Sequence, residues 1–145
     1  MVDDSDYEWL SKFKWHIGNG YAKRNSSVDG KSVTIHMHRE IMNTPNGYDT
    51  DHINGIRTDN RRCNLRVCTR SENLANRGAA SSNKTGLKGV RKSSRVETFE
   101  AQIRVNGKGI YLGSFRTPEE AHIAYIAASK KYHGAFSPYA TGAQR

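Results

Sequence analysis

The stretch that most constrains this 145-residue chain is residues 48–77, YDTDHINGIRTDNRRCNLRVCTRSENLANR. It sets a carboxylate beside an imidazole at Asp51 and His52, and it places amides at Asn64 and Asn73. An imidazole titrates near neutral pH, so His52 can act as a general base on water. Oxygen ligands from Asp51 and Asn73 would favour Mg²⁺ or Mn²⁺ over zinc. The stretch therefore predicts a site that hydrolyses phosphodiester bonds with one metal ion.

The same stretch predicts two strands followed by a helix. Residues 48–53 form the first predicted strand, in which the neighbouring Asp51 and His52 point to opposite faces. The two side chains can serve metal and substrate in one site only if a twist or bulge of the strand re-aims them. Residues 65–68 form the returning strand after a polar loop. A capping box at Thr69 and Glu72 then predicts a short helix whose first turns carry Asn73 near the strand pair.

This order of Asp-His strand, loop with Asn and helix with Asn resembles the HNH, or ββα-metal, endonucleases. The resemblance is to the phage and intron-encoded homing type, whose final ligand is asparagine. It implies that His52 is the general base, that Asp51 and Asn73 are metal ligands, and that Asn64 orients His52. The segment at residues 38–40, His-Arg-Glu, is similar to the His-Arg segment that commonly precedes this family's motif.

The same residues also allow an interpretation without catalysis. Asp and Asn are common loop residues, and Asp-His or Asn-Gly pairs often only form turns. Asn64 could simply close its loop by bonding to backbone. The complete ordered set, with a capping box in place and a basic surround, favours the nuclease site.

The charge balance indicates a polyanionic partner. The chain has 23 Lys and Arg against 14 Asp and Glu, which gives a net charge of +9, and nucleic acid is the first candidate. Arg61, Arg62 and Arg66, beside the motif, are predicted to contact the phosphate backbone. The alternative for each of them is an ordinary solvated charge.

No apolar run approaches the ~20 residues that span a bilayer, so no membrane partner is predicted. The N-terminus lacks a signal peptide's charged start and apolar core. A cytoplasmic protein is expected, in the bacterial host cytoplasm if a phage encodes it. Cys63 and Cys68 do not have zinc-site spacing, and idle thiols are expected there.

Residues before the motif predict a supporting layer. Residues 1–16 carry core-packing aromatics in a pattern that suits either a helix or a strand. Residues 21–25 and 32–37 are predicted to pair as strands across a loop at residues 26–31. A short helix or turn is predicted at residues 39–42.

The chain after the motif changes character. Residues 78–85, GAASSNKT, are predicted to be a linker, and residues 141–145 a tail. Between them the pattern predicts three strands, at residues 89–92, 99–105 and 109–115, with a hairpin turn at Asn106-Gly107. A capping box at Thr117 and Glu120 then predicts a helix from Pro118 that stops at Gly134. The helix has an alanine-rich apolar stripe that should let it approach the sheet closely, formed by Ala121, Ala124, Tyr125, Ala128 and Tyr132. The predicted fold class is thus α+β: a ββα-metal nuclease module in residues 1–77, then a three-stranded antiparallel sheet packed on one α-helix in residues 86–140.

The elements GVRK, AQIR, YLGSF and TPEEA in this second module resemble the APETALA2-type DNA-binding domain of plant transcription factors, which also occurs fused to phage HNH endonucleases. The resemblance implies that the exposed sheet face enters the DNA major groove. Tryptophans typical of the plant domain are missing, so the plant target sequence is not expected. The alternative is an ordinary solvated face. The predicted DNA-binding residues of this module are Lys88, Arg91, Lys92, Arg95, Gln102, Arg104, Lys108 and Tyr111.

These observations predict a DNA endonuclease of two modules, in which the first cuts and the second anchors the enzyme on double-stranded DNA. A monomer or weak dimer with one site per chain should nick a single strand. One competing hypothesis is a DNA-binding regulator without catalysis. Another competing hypothesis is a protein that binds or cleaves RNA. The major groove of double-stranded RNA is deep and narrow and would exclude a sheet, so comparing the affinity for duplex DNA and RNA would separate these hypotheses.

Overall fold

The computed structural model describes residues 1–140. The chain divides into two compact units, Met1–Asn73 (unit 1) and Leu74–Arg145 (unit 2). Its fold is α+β with small antiparallel sheets, which confirms the predicted class. The elements in chain order are α1 (Asp4–Leu10), β1 (His16–Gly18), β2 (Tyr21–Val28), β3 (Lys31–His36), α2 (Met37–Ile41), β4 (Asp49–His52), a 3₁₀ turn (Arg62–Asn64), β5 (Leu65–Cys68), α3 (Arg70–Asn76), β6 (Val90–Lys92), β7 (Phe99–Val105), β8 (Lys108–Phe115), α4 (Pro118–His133) and a second 3₁₀ turn (Gly134–Phe136).

The first sheet of unit 1 has the strand order β1-β2-β3. The prediction of a loop at residues 26–31 is wrong, because strand pairing continues to Val28 opposite Lys31. Only Asp29 and Gly30 form the turn, and both have positive φ, at 50° and 74°. Two consecutive residues of positive φ match the right-handed twist of a hairpin, so the strands can stay paired up to the turn.

The core of unit 1 lies between this sheet and the first two helices. Residues 1–16, whose pattern suited either type, form α1 and then lead into β1. Trp9 and Trp15 pack against the core as predicted, but Tyr7 and Phe13 are 64% and 40% exposed. Helix α2 begins at Met37 and ends at Ile41, so it covers residues 39–41 of the segment that was predicted as a helix or turn. The buried core residues are Leu10, Ala22, Met37, Ile41 and Leu65.

Strands β4 and β5 form a separate antiparallel pair, in which Asp51 lies opposite Arg66. The helix that follows starts where the sequence predicts. Thr69 Oγ1 accepts a hydrogen bond from the Glu72 backbone N–H at 3.3 Å, and the Glu72 carboxylate accepts one from the Thr69 N–H at 2.7 Å. This reciprocal pair satisfies backbone donors that a helix start leaves unpaired, and it fixes α3 directly after β5.

Unit 2 contains the sheet β6-β7-β8 with α4 packed on one face. The hairpin turn at Asn106-Gly107 is confirmed, with φ of 48° and 79°. The capping box of Thr117 and Glu120 is also present at the start of α4. Ala101 and Ala121 are both fully buried, so helix and sheet approach closely as predicted. Tyr132, predicted to belong to the buried stripe of α4, is 42% exposed instead.

The division between the units falls inside α3, four residues before the predicted start of the linker at 78–85. That segment has no regular element. Within it, Asn83 Nδ2 donates to the carbonyls of Leu87 and Val90, at 2.8 and 3.3 Å. The predicted tail at residues 141–145 lies outside the described residues. Among residues 1–140, no helix has the length and apolar character that crossing a membrane requires.

Candidate active site

His52 is the last residue of β4 and is 6% exposed. Its Nε2 lies 3.1 Å from Oδ1 of Asn60. The Asn60 amide nitrogen faces the carbonyl oxygen of Thr58 at 3.5 Å, and a carbonyl can only accept, so the amide oxygen is the atom directed at His52. That oxygen also only accepts. The Nε2 of His52 therefore carries the hydrogen, and Nδ1 carries the lone pair that a general base needs.

Aromatic rings surround His52. The ring centroids of His38 and Tyr21 lie 5.0 and 6.1 Å from that of His52. Burial lowers the pKa of His52 below its ordinary value of 6.5, and the Asn60 hydrogen bond opposes this in part. The ring is consequently neutral at pH 7, which is the form that accepts a proton.

His38, in the segment similar to the family's His-Arg pair, lies inside unit 1 and not on its surface. It is 7% exposed, and its Nδ1 has no hydrogen-bond partner. Burial lowers the pKa of His38 to about 3. A neutral ring at this position packs against His52 and keeps water from one side of it.

The side chain of Asn64, predicted to orient His52, makes two hydrogen bonds within the loop. Its Oδ1 accepts from the Asn54 backbone N–H at 2.9 Å, and its Nδ2 donates to the Asp59 carbonyl at 2.8 Å. Asn64 thus closes the loop between β4 and β5, which is the alternative that the sequence left open. A side chain that does orient the His52 ring is that of Asn60, through its Oδ1. Sequence reasoning missed it because Asn60 lies in a polar loop, where no periodicity marks which amide turns inward.

The same loop is held by an ion pair. Asp59 is 1% exposed, and both its oxygens accept from Arg61, at 2.8 and 2.7 Å. Asn54 Nδ2 adds a third bond to Asp59 at 2.9 Å. The hydrogen bonds from Arg61 hold the pKa of the Asp59 carboxyl far below its usual range. A charged group that is buried and bonded on all sides fixes the loop beside Asn60.

The opposite face of β4 carries oxygen donors. Asp49 and Asp51 share this face because side chains alternate along a strand. Asp49 Oδ2 accepts from Asn73 Nδ2 at 2.8 Å, which turns the Asn73 amide oxygen away from that carboxylate. Asp51 Oδ2 accepts from Arg66 Nε and Nη2, at 2.9 and 2.7 Å. A carboxylate and a directed amide oxygen fit a hard divalent cation.

Within residues 1–140, no three His, Cys, Asp or Glu side chains converge as a metal-ligand set. The candidate oxygen donors on this face are the carboxylate of Asp51, whose Oδ2 also accepts from Arg66, and the amide oxygen of Asn73. Magnesium suits such a site, because it retains several waters and often takes only one or two protein ligands.

The arginines predicted to contact phosphate are engaged within the protein. Each forms an ion pair with a carboxylate of unit 1, and the shortest N–O distances are 2.7 to 2.8 Å. Arg66 is only 18% exposed in its side chain, so its pair with Asp51 is largely shielded from solvent. The pairs are Arg61 with Asp59, Arg62 with Asp6, and Arg66 with Asp51.

On unit 2, the sheet face opposite α4 exposes several of the predicted DNA-binding side chains. Gln102 and Arg104 alternate with buried residues along β7, and Tyr111 is 62% exposed on β8. Arg91 is paired with Glu100 at 2.6 Å. The remaining predicted residues are also exposed: Lys92, which pairs with Glu97, and Arg95 and Lys108.

Lys88 does not belong to this face. Its ammonium group donates to the backbone carbonyls of Leu74, Ala75 and Arg77. These are unpaired carbonyls at the end of α3, where a cation is favoured by the helix dipole. Lys88 thus caps the end of α3 instead of lying on the exposed sheet face.

Strand β4 ends in His52, whose ring is neutral and oriented. The capped helix α3 follows β5 and brings the Asn73 amide to the face of β4 that carries the carboxylates. Together these features define a hydrolase site of the ββα class. Comparison with known proteins agrees. Residues 43–75 match the HNH endonuclease family. The chain is 30% identical over 134 residues to an uncharacterized HNH endonuclease of Acanthamoeba polyphaga mimivirus, across 88% of this chain and 67% of the relative. The chain therefore belongs to the HNH endonuclease family, which implies DNA as its substrate.

Proposed function

We propose that the protein is a homing-type DNA endonuclease that hydrolyses phosphodiester bonds and nicks one strand. The observation that carries this proposal is the state of His52, which is buried, neutral and held through Nε2 by Asn60. Such a ring presents one defined nitrogen as a base. Asp51, beside it on β4, and Asn73, on α3, carry the oxygen donors that a metal-dependent phosphate-cleaving site requires.

In the proposed mechanism His52 Nδ1 takes the proton from a water that attacks the phosphate in line. Asn60 holds the ring plane during this step, and Asn64 keeps the loop closed around it. A divalent cation, Mg²⁺ or Mn²⁺, held by Asp51 and Asn73 would stabilise negative charge on the phosphate and on the leaving oxygen. One base on each chain acts on one strand, so the expected product is a nick.

We further propose that unit 2 anchors the enzyme on duplex DNA in the way of an APETALA2-type domain. Gln102, Arg104 and Tyr111 project from the sheet face that lacks a helix. Arginine can bond guanine and glutamine can bond adenine in the major groove. The similarity to the mimivirus relative runs through most of this chain, which supports a shared role for the second unit.

The test is cleavage of supercoiled plasmid with Mg²⁺, with EDTA, and by two histidine variants. Wild type should convert supercoiled DNA to the nicked form only with metal. His52→Ala should lose this activity by at least a factor of ~100, which is the usual contribution of a general base. His16→Ala removes an exposed histidine of β1 and should cut like wild type. Linear product at early times would contradict the nickase proposal.

The second candidate function is a DNA-binding regulator without catalysis. The ion pair of Arg66 with Asp51 favours it, because the arginine occupies the carboxylate proposed to hold the metal. A regulator would bind duplex DNA equally with Mg²⁺ or EDTA and would leave every plasmid intact. DNA from the gene's own genomic neighbourhood should be included, since a homing enzyme would cut it even if it ignored the plasmid.

A further inference from the structure

Arg57, in the loop between β4 and β5, has an unusual set of contacts. Its guanidinium carbon lies 4.8 Å from the ring centroid of Tyr21. The same Tyr21 ring lies 6.1 Å, centroid to centroid, from His52. One hydrogen bond of 3.3 Å joins Arg57 Nη1 to the carbonyl oxygen of Asn19. Arg57 and His52 are thus both placed against one aromatic ring.

The charge of Arg57 is not neutralised by a carboxylate within unit 1, all of whose residues the structure describes. The other arginines of this unit are engaged. Arg39 donates to the backbone carbonyls of residues 44, 45 and 48. The rest form ion pairs with carboxylates: Arg24, Arg61, Arg62, Arg66 and Arg70.

The Arg57 side chain is exposed, so a ligand can reach its remaining donors. An arginine that is exposed, held by a cation–π contact and left with unused N–H groups is suited to a planar, doubly bonded phosphate contact.

We propose that Arg57 is a further catalytic residue, which binds the phosphate that is cut and stabilises the charge that develops on it. This inference rests on the proposed nuclease function. The stacking contact with Tyr21 holds the guanidinium in place before DNA binds, so little ordering is needed when the transition state forms. Sequence alone gave Arg57 no priority over the other arginines of the motif, whose ion pairs only the structure reveals.

The experiment compares wild type, Arg57→Ala, Arg57→Lys and the control Lys31→Ala. Lys31 is exposed at the β2–β3 turn, and its removal changes the net charge by the same amount. The rate of nicking is measured in a single turnover at saturating enzyme. Arg57→Ala should be slower by a factor of about 100 to 1,000, as when one preorganised transition-state donor is lost. The rate of Arg57→Lys should lie between those of Arg57→Ala and wild type, and the rate of Lys31→Ala should equal that of wild type.

Two readouts separate phosphate binding from a structural role. Added guanidinium ion should restore part of the rate of Arg57→Ala and none of His52→Ala, with thermal unfolding confirming that both variants are folded. The salt dependence of DNA binding in EDTA should lose about one unit of slope in Arg57→Ala. The inference would be overturned if Arg57→Ala nicked DNA at the wild-type rate. It would also be overturned if the variant lost activity but showed neither rescue by guanidinium ion nor a change in the salt dependence of DNA binding.

The salt dependence of DNA binding also distinguishes a failure of the nuclease proposal from a failure of the inference about Arg57. If wild type binds DNA without cutting it, the nuclease proposal fails, and the slope alone decides whether Arg57 contacts phosphate. If wild type cuts and Arg57→Ala cuts equally well, the nuclease proposal stands and the inference about Arg57 is wrong.

Discussion

At the scale of single residues, the histidines around Tyr21 give unit 1 a stability that depends on pH. His38 is buried beside His36 and His52, and its Nδ1 lacks a partner. Its pKa is about 3 in the folded protein, against an ordinary 6.5. The unfolded chain therefore binds the proton first as the pH falls. The contribution of His38 is complete above pH 6.5 and is lost progressively down to about pH 3.

We predict that His38→Phe weakens this acid sensitivity. Phenylalanine keeps a ring against Tyr21 and His52, but it cannot take up a proton. A fully bound proton is worth ~1.4 kcal/mol per pH unit, and the unfolded imidazole is already half protonated at pH 6.5. The free energy of unfolding of the variant should therefore fall by about 1.6 kcal/mol less between pH 6.5 and 5. Urea unfolding at both pH values measures this. His16→Phe is the exposed control, and an equal pH dependence in wild type and His38→Phe would refute the account.

At the scale of elements, close contact between α4 and the start of β6 depends on one glycine. Gly89 has φ of +78°, and a Cβ placed there would lie 1.9 Å from the ring of Tyr125. Tyr125 is 3% exposed and belongs to the core of unit 2. Since this ring is buried, it cannot swing out of the way. The contact therefore sets how near the helix comes to the sheet.

Gly89→Ala should destabilise unit 2 far more than Gly86→Ala. Gly86 also has a positive φ, +69°, but an added Cβ would meet nothing within 4 Å. The control should cost about 1 to 2 kcal/mol for the left-handed backbone alone. Gly89→Ala adds a core overlap, worth a further ~1 to 3 kcal/mol or more. Chemical denaturation of both variants provides the measurement, and equal losses would show that backbone strain alone is at work.

The elements were the part of this fold that the sequence predicted best. Capping boxes at Thr69 and Thr117 and the turn at Asn106-Gly107 use local chemistry, which acts within four residues and is visible in the chain. The site was predicted less completely. Which arginine finds a carboxylate, and whether Asn60 or Asn64 reaches His52, depends on how a loop closes in three dimensions.

At the scale of the whole molecule, a net charge of +9 predicts that the affinity for DNA falls as the salt concentration rises. Most of that charge belongs to unit 2: residues 1–73 carry 11 Lys and Arg against 10 Asp and Glu, a net of +1, whereas residues 74–145 carry 12 against 4, a net of +8. Exposed cations of the unit 2 sheet therefore carry a larger share than a count of basic residues suggests. Arg104 is exposed on β7, without an ion pair among the salt bridges of the described residues.

Arg104→Ala removes a cation from the sheet face as well as a proposed base contact, so it should lower both the affinity for duplex DNA and its salt dependence. The slope of log affinity against log salt concentration should fall by about 0.9, the value for one neutralised phosphate. Lys130→Ala removes an equal charge from α4, on the other side of the sheet, and should change neither the affinity nor the slope.

Gln102→Ala removes a side chain without changing the charge. It should leave the slope unchanged and weaken a preferred sequence by about 1 to 3 kcal/mol, because a lost base contact affects recognition and not counterion release. Fluorescence anisotropy at several salt concentrations, in EDTA so that no DNA is cut, measures all three variants. Equal effects of Arg104→Ala and Lys130→Ala would mean that DNA feels only the total charge of unit 2, and the sheet would lose its assigned role.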